Sequence, residues 1–243
     1  MFGVPFETLA VVWLGALVGS LAAGGAGFAF ALASSAIWLH ALEPIQVTAL
    51  VVACGTILHL GLIVPMRKSI DRGRLWPFLL AALFGIPLGV QLLAHTNTDL
   101  LKSALGVFLI LFGLYALLAP RLPYVGGGGK LADAAVGFIG GVLGGLGGYS
   151  GVLPTIWTQL RGWPKEIARG VYQPFILFAH LLTLILVGRV AFDRTGLILL
   201  GTAVPFLLAG AAVGWTVYGR LDERRFRQVL GILLAISGAA LAV

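Results

Sequence analysis

Two glycine clusters in apolar surroundings are the residues of this chain best placed to do chemistry. Gly24-Gly25-Ala26-Gly27 forms the first. Gly144-Gly145-Leu146-Gly147-Gly148 forms the second and is followed by two hydroxyls, Tyr149 and Ser150. Glycine allows positive φ and close approach of a ligand or a second backbone. A helix that restarts after such a break offers unpaired N–H groups and the positive end of its dipole, which suits an anion. The competing reading is that these glycines only let membrane helices pack closely, and the spacing of Gly140, Gly144 and Gly148 fits it.

A polar stripe supplies the facing candidates. Arg169, Gln173 and His180 stand at i, i+4 and i+11, within about 40° of one another on a helix face. Thr48 and His59 are again eleven apart. Ionisable side chains inside a span are costly, which makes them functional candidates. The plainer alternatives are that Arg169 snorkels to headgroups and that each histidine bonds a backbone carbonyl. If transport is proton-coupled, imidazole is the group poised near neutral pH to titrate.

The elements that hold these residues come in duplicate. The glycine clusters lie 120 residues apart, and other marks recur in the same order. Pro44 answers Pro164, His59 answers His180, and Asp71-Arg72-x-x-Leu75 answers Asp193-Arg194-x-x-Leu197. Leu105-Gly106 and Gly113 answer Leu230-Gly231 and Gly238, the offset drifting to 125 as small loop indels would produce. The chain therefore reads as a first membrane repeat over 1–122 and a second over 123–243. A glycine-interrupted repeat in an apolar chain points to a transporter with its site between the halves.

Composition names the solvent. Hydrophobic residues make up 59%, charged ones 10%, and mean hydropathy is +1.03. A soluble domain carries about 25% charge. Apolar stretches long enough to span fall at 44–66, 75–94, 100–119, 170–188, 196–218 and 226–243. The two glycine-bearing segments, 8–42 and 131–163, are longer. The net charge of +7 reads as cytoplasmic loops and anionic headgroups, not nucleic acid. The N-terminus lacks a basic region and a cleavage pattern, so no removable signal is expected. Cys54 stands alone, the four histidines show no ligand spacing for a metal, and no phosphate-binding loop appears, so no cofactor is expected.

Charge placement chooses between two topologies. With eight crossings, four per half, the 16 Lys and Arg divide evenly and orient nothing. If each glycine segment instead dips in and returns, only Lys102, Arg189 and Arg194 fall on the poor side. The positive-inside rule favours this second arrangement. The expected fold is an all-α membrane protein of two inverted repeats, each with three transmembrane helices and one glycine-broken re-entrant helical hairpin. Both termini would be periplasmic. Hairpin arms at 8–22 and 28–42, about 15 residues or roughly 22 Å each, would reach the midplane and come back. Their tips would be Gly24–Gly27 and Gly144–Gly151.

Gly140-Gly141-x-x-Gly144-Gly145-x-Gly147-Gly148, followed by Gly151 and Pro154, resembles the second-half signature of the TauE/SafE family of sulfite-exporter-like permeases. Gly15-x-x-x-Gly19-x-x-x-x-Gly24-Gly25-x-Gly27 resembles the matching first-half signature, with departures at Phe28 and Ser34. The resemblance implies a secondary carrier, not an enzyme, in a bacterial inner membrane. Its substrates would be small sulfur-containing anions such as sulfite, sulfonates or sulfoacetate. Coupling to a proton or cation and a homodimer are open expectations. An anion or solute channel on the same glycine tips is the nearest alternative. Gly148-Tyr149-Ser150-Gly151 also matches the motif of a rhomboid-type intramembrane serine protease with His180 as base, but Ile176 stands where close helix approach wants a small residue.

Overall fold

The computed structural model describes residues 3–26, 29–118, 124–218 and 223–242, and every regular element among them is helical. In the first half these are α1 (Phe6–Ala26), α2 (Ala29–Trp38), α3 (Pro44–Met66), α4 (Arg72–His95) and α5 (Thr98–Leu118). The second half repeats the sequence of long and short elements as α6 (Gly129–Gly147), α7 (Val152–Leu160), α8 (Lys165–Ala191), α9 (Arg194–Tyr218) and α10 (Glu223–Ala242). Seven of the described helices are long and apolar enough to cross a membrane, and α10 adds the shorter apolar stretch Gly231–Leu241. Large apolar side chains such as Phe84, Leu111, Ile185 and Ile236 stand exposed on the outside of the bundle. That is the surface of a multi-pass integral membrane protein, whose solvent is lipid.

The repeated Asp-Arg pair starts a helix in each half. Asp71 accepts a hydrogen bond from the Arg74 N–H at 3.1 Å, and Asp193 accepts one from the Gly196 N–H at 2.7 Å. Each carboxylate thus satisfies one N–H that a helix start would leave unpaired.

Each glycine segment folds back as a hairpin with unequal arms: 21 residues against 10 for α1 and α2, 19 against 9 for α6 and α7. The expected equal arms of the first hairpin are corrected here. Gly24 and Gly25 continue α1, and Gly27 lies outside the described residues. Glycine inside a helix costs about 1 kcal/mol, a modest penalty when it permits close packing elsewhere. The Ser34 hydroxyl donates to the Gly15 carbonyl at 3.1 Å and the Trp38 indole donates to that of Val12 at 3.0 Å, which seals the first hairpin. A Cβ at Gly15 would collide with the Trp38 ring and one at Gly19 with the Ser34 hydroxyl, so the first-half glycines make room for these bonds. The second hairpin closes at its base, where the Val125 N–H donates to the Leu160 carbonyl at 2.7 Å and Arg161 Nη1 to that of Gly127 at 2.7 Å.

Glycines also set how the halves join. Gly137 packs on Phe78, Gly141 on Ala82 and Gly145 on the Ile86–Val90 turn, so α6 and α4 run parallel with their backbones in contact. Gly210 and Gly214 pack on Leu17, Ser20 and Leu21, and the Trp13 and Phe206 rings stack at 5.1 Å, so α1 and α9 are also parallel. α3 and α8 cross in the opposite sense: Gly55 meets His180, while Ser69, beyond the end of α3, meets Gly170 near the start of α8. α5 packs on α10. The Arg74 guanidinium lies 4.8 Å over Trp163, and that of Arg161 lies 5.9 Å from the same ring, which puts the 67–74 loop and the base of the second hairpin at one end of the bundle. Single cysteines at Ser69 and Arg161, in a chain freed of Cys54, are therefore expected to react from the same side of the membrane, and one at Thr8 from the other. Labelling of Ser69 and Arg161 from opposite sides would sink this arrangement.

Candidate functional site

The polar candidates converge where the tip of the second hairpin meets α3 and α8. Gly148, with φ +77°, ends α6 in the left-handed conformation. Its N–H returns to the Gly144 carbonyl at 2.8 Å and the Tyr149 N–H to that of Leu143 at 3.1 Å. This is the usual glycine closure of a helix C-terminus. It corrects the expectation that the Gly148 and Tyr149 N–H groups are available to an anion, because both are spent on the cap. The Ser150 and Gly151 N–H groups, at the start of α7, take no acceptor within the described fold. Of the N–H groups at this tip, those of Ser150 and Gly151 are the ones left open.

Two histidines, one from each half, meet beneath the tip. Their ring centroids are 5.4 Å apart at an interplanar angle of 69°, and both side chains are buried. His180 Nε2 lies 3.2 Å from the Gly148 carbonyl, which can only accept, so Nε2 carries the proton. In the neutral ring Nδ1 is then a bare acceptor, buried and without a partner. His59 Nδ1 lies 2.6 Å from Gln173 Oε1. Gln173 and His180 share the α8 face that their spacing predicts, and both reach His59. Thr48 Oγ1 donates to the Leu146 carbonyl at 3.0 Å and to that of Pro44 at 2.9 Å, which ties the start of α3 to the end of α6.

Other candidates lie apart from this meeting point. Arg169 is half-buried beside Gly170, at the end of α8 near Ser69, eleven residues or about 16 Å of helix from His180. Gly145 faces α4, Gly144 meets the Ser150 side chain and Ala179, and Gly147 meets the Tyr149 ring. Gly24 and Gly25 lie in the last turn of α1. The Ser150 hydroxyl is buried without a partner, and His180 Nε2 is committed to Gly148. Ser150 and His180 are thus not assembled as a nucleophile and its base. Among the described residues no three His, Cys, Asp or Glu side chains gather as metal ligands.

Three participants escape a reading of the sequence. Gly55, one turn before His59 on α3, opens the space for the His180 ring: a Cβ there would sit 2.6 Å from Nδ1. A glycine one turn from a span histidine is the signal that could have found it. Ser35 of α2 lies beside Tyr149, and both hydroxyls are buried without a partner in hydrogen-bond geometry. Asp133 of α6 is buried and accepts from the Trp157 indole at 2.7 Å, holding α7 against α6 at the base of the hairpin.

Residues 10–241, which span both glycine hairpins, match a family model described as Sulfite exporter TauE/SafE. No curated protein and no solved structure gives a match. Because the family model spans nearly the whole chain, from the first hairpin to the last helix, this protein belongs to the TauE/SafE sulfite exporter family of membrane permeases.

Proposed function

We propose that the chain is a secondary carrier for small sulfur-containing oxyanions, sulfite and sulfonates among them, in a bacterial inner membrane. Residues 1–122 and 123–243 act as inverted repeats with the substrate between them, and the hairpins re-enter the membrane from opposite sides. The observation that carries this reading is the buried polar seam where the second hairpin tip lies against α3 of the first half. Irregular backbone at membrane depth is tolerated where it is buried in protein or lines a cavity, and Ser150 and Gly151 offer their N–H groups at such a break. The opposed directions of α3 and α8, and the parallel pairs α1–α9 and α4–α6, support the inverted arrangement. Alternating access would rock one repeat against the other about this seam, with His59 and His180 carrying any coupled proton.

Purified protein in liposomes is expected to give saturable sulfite flux. Flux that rises linearly without saturating would favour a channel, and absence of flux for every sulfur oxyanion would remove the proposal. Arg169 is assigned to the mouth of the pathway, where its planar guanidinium meets the incoming anion. A partly exposed cation of this kind contributes about 1 kcal/mol of attraction, so Arg169→Ala should raise the half-saturating concentration roughly fivefold and Arg169→Lys less. An unchanged half-saturating concentration in Arg169→Ala would leave this arginine as a lipid anchor.

A further inference from the structure

Among the described residues the tip site contains donors but no fixed cation. Ser150, Tyr149 and Ser35 contribute hydroxyls that are buried without hydrogen-bond partners. Ser150 and Gly151 add free N–H groups at the start of α7. From Val51, which touches Gly148, the nearest charges along α3 are Glu43 and Arg67, about 12 and 24 Å of helix away. On α8 the described charge toward the hairpin base is Arg169, about 16 Å from His180. The described charges of α4, α5, α6 and α9 lie within their terminal two turns. The titratable side chains at the meeting point are His59 and His180, with Cys54 on α3 and Tyr149 at the tip.

A helix N-terminus supplies about half a positive charge, and hydroxyls supply dipoles. That set can balance a singly charged oxyanion. A dianion would keep most of its second charge uncompensated in a region shut off from water, where unpaired charge is heavily penalised. Resting on the carrier reading above, we infer that this protein selects singly charged sulfur oxyanions at the tip of its second hairpin and admits a dibasic one such as sulfite only together with a proton. The proton has two places to sit. It can stay on the anion, with the S–O–H donating to a bare imidazole nitrogen. Alternatively it can move to His180 Nδ1 or to His59, making one cation beside the dianion. The composition of the complex is the same in both cases, and its net charge is minus one. With the rings only 5.4 Å apart, two protonated imidazoles would repel, so one proton per anion is the expected stoichiometry.

Competition in liposomes tests this with the full-length protein. Sulfite uptake is measured below and above neutral pH against methanesulfonate, a permanent monoanion, and sulfate, a dianion throughout this range. Methanesulfonate should compete at least tenfold better than sulfate. Sulfite affinity should fall as pH rises, because its protonated fraction falls, while competition by methanesulfonate should change less than twofold. Sulfate competing as well as methanesulfonate, or sulfite affinity that ignores pH, would overturn the monoanion inference and leave the carrier standing. Absence of saturable uptake for all three would overturn the carrier reading itself.

Discussion

Gly55→Ala is expected to reduce saturable transport by at least about tenfold, with the protein still inserted in the membrane. The new Cβ would sit 2.6 Å from His180 Nδ1 and 2.5 Å from its Cε1, a separation that packed carbon atoms do not adopt. The ring cannot retreat freely, because His180 Nε2 is bonded to the Gly148 carbonyl at 3.2 Å. Overpacking of this kind costs about 1–3 kcal/mol. If the ring rotates to relieve it, the Gly148 carbonyl loses its donor, at about 1–3 kcal/mol more for a buried acceptor. Both routes move the histidine that joins the halves. The predicted signature is lost flux with a lowered melting temperature in detergent. A second variant separates sterics from chemistry: in a His180→Ala background, adding Gly55→Ala should lower the melting temperature no further, because the clash needs the ring, and flux should stay lost. Wild-type flux in Gly55→Ala would show that the His180 position is irrelevant to transport.

Several of the recurring sequence marks answer physical requirements. Asp71 and Asp193 recur because each caps a helix, and the second glycine cluster sets the α6 backbone against that of α4. The stripe of Gln173 and His180 was legible from helical spacing alone, whereas Thr48 and His59, eleven residues apart, serve different contacts. What stayed hidden depends on partners distant in sequence. The first arm runs on to Ala26, packed along α9, although Gly24-Gly25 reads as a break. The Gly148 and Tyr149 N–H groups close α6, a choice made by the left-handed Gly148, and those of Ser150 and Gly151 stay open. Ser35 and Gly55 look ordinary until Tyr149 and His180 arrive beside them from the other half. Arg169 shares a face with His180 yet sits far from it, since a helix face has length as well as direction.

Gly145→Ala separates the two meanings of a glycine cluster. Gly145 stands in the same motif as Gly148, and a site at the hairpin tip would make both part of the binding surface. The bundle puts it against α4, where a Cβ would collide with the Ile86 carbonyl and lie 2.8 Å from the Val90 nitrogen. These are backbone atoms in mid-helix, so the neighbour cannot turn aside as a flexible side chain would. The helices must separate, and Gly137 and Gly141 on the same seam lose their contacts as well. In lipid no hydrophobic force between helices compensates, since association rests on close van der Waals packing. The loss is therefore expected to reach several kcal/mol, and a marginally stable bundle of this kind tolerates little more than that. The expected result is a collapse of the monodisperse peak in size-exclusion chromatography, before transport can be measured at all. Gly201→Ala is the matched control: it sits in α9 with nothing within 4 Å of the new Cβ, and alanine favours the helix by about 1 kcal/mol. If Gly145→Ala instead yields folded protein with a shifted half-saturating concentration, the glycine belongs to the substrate path and the α4–α6 seam is looser than its backbone contacts require.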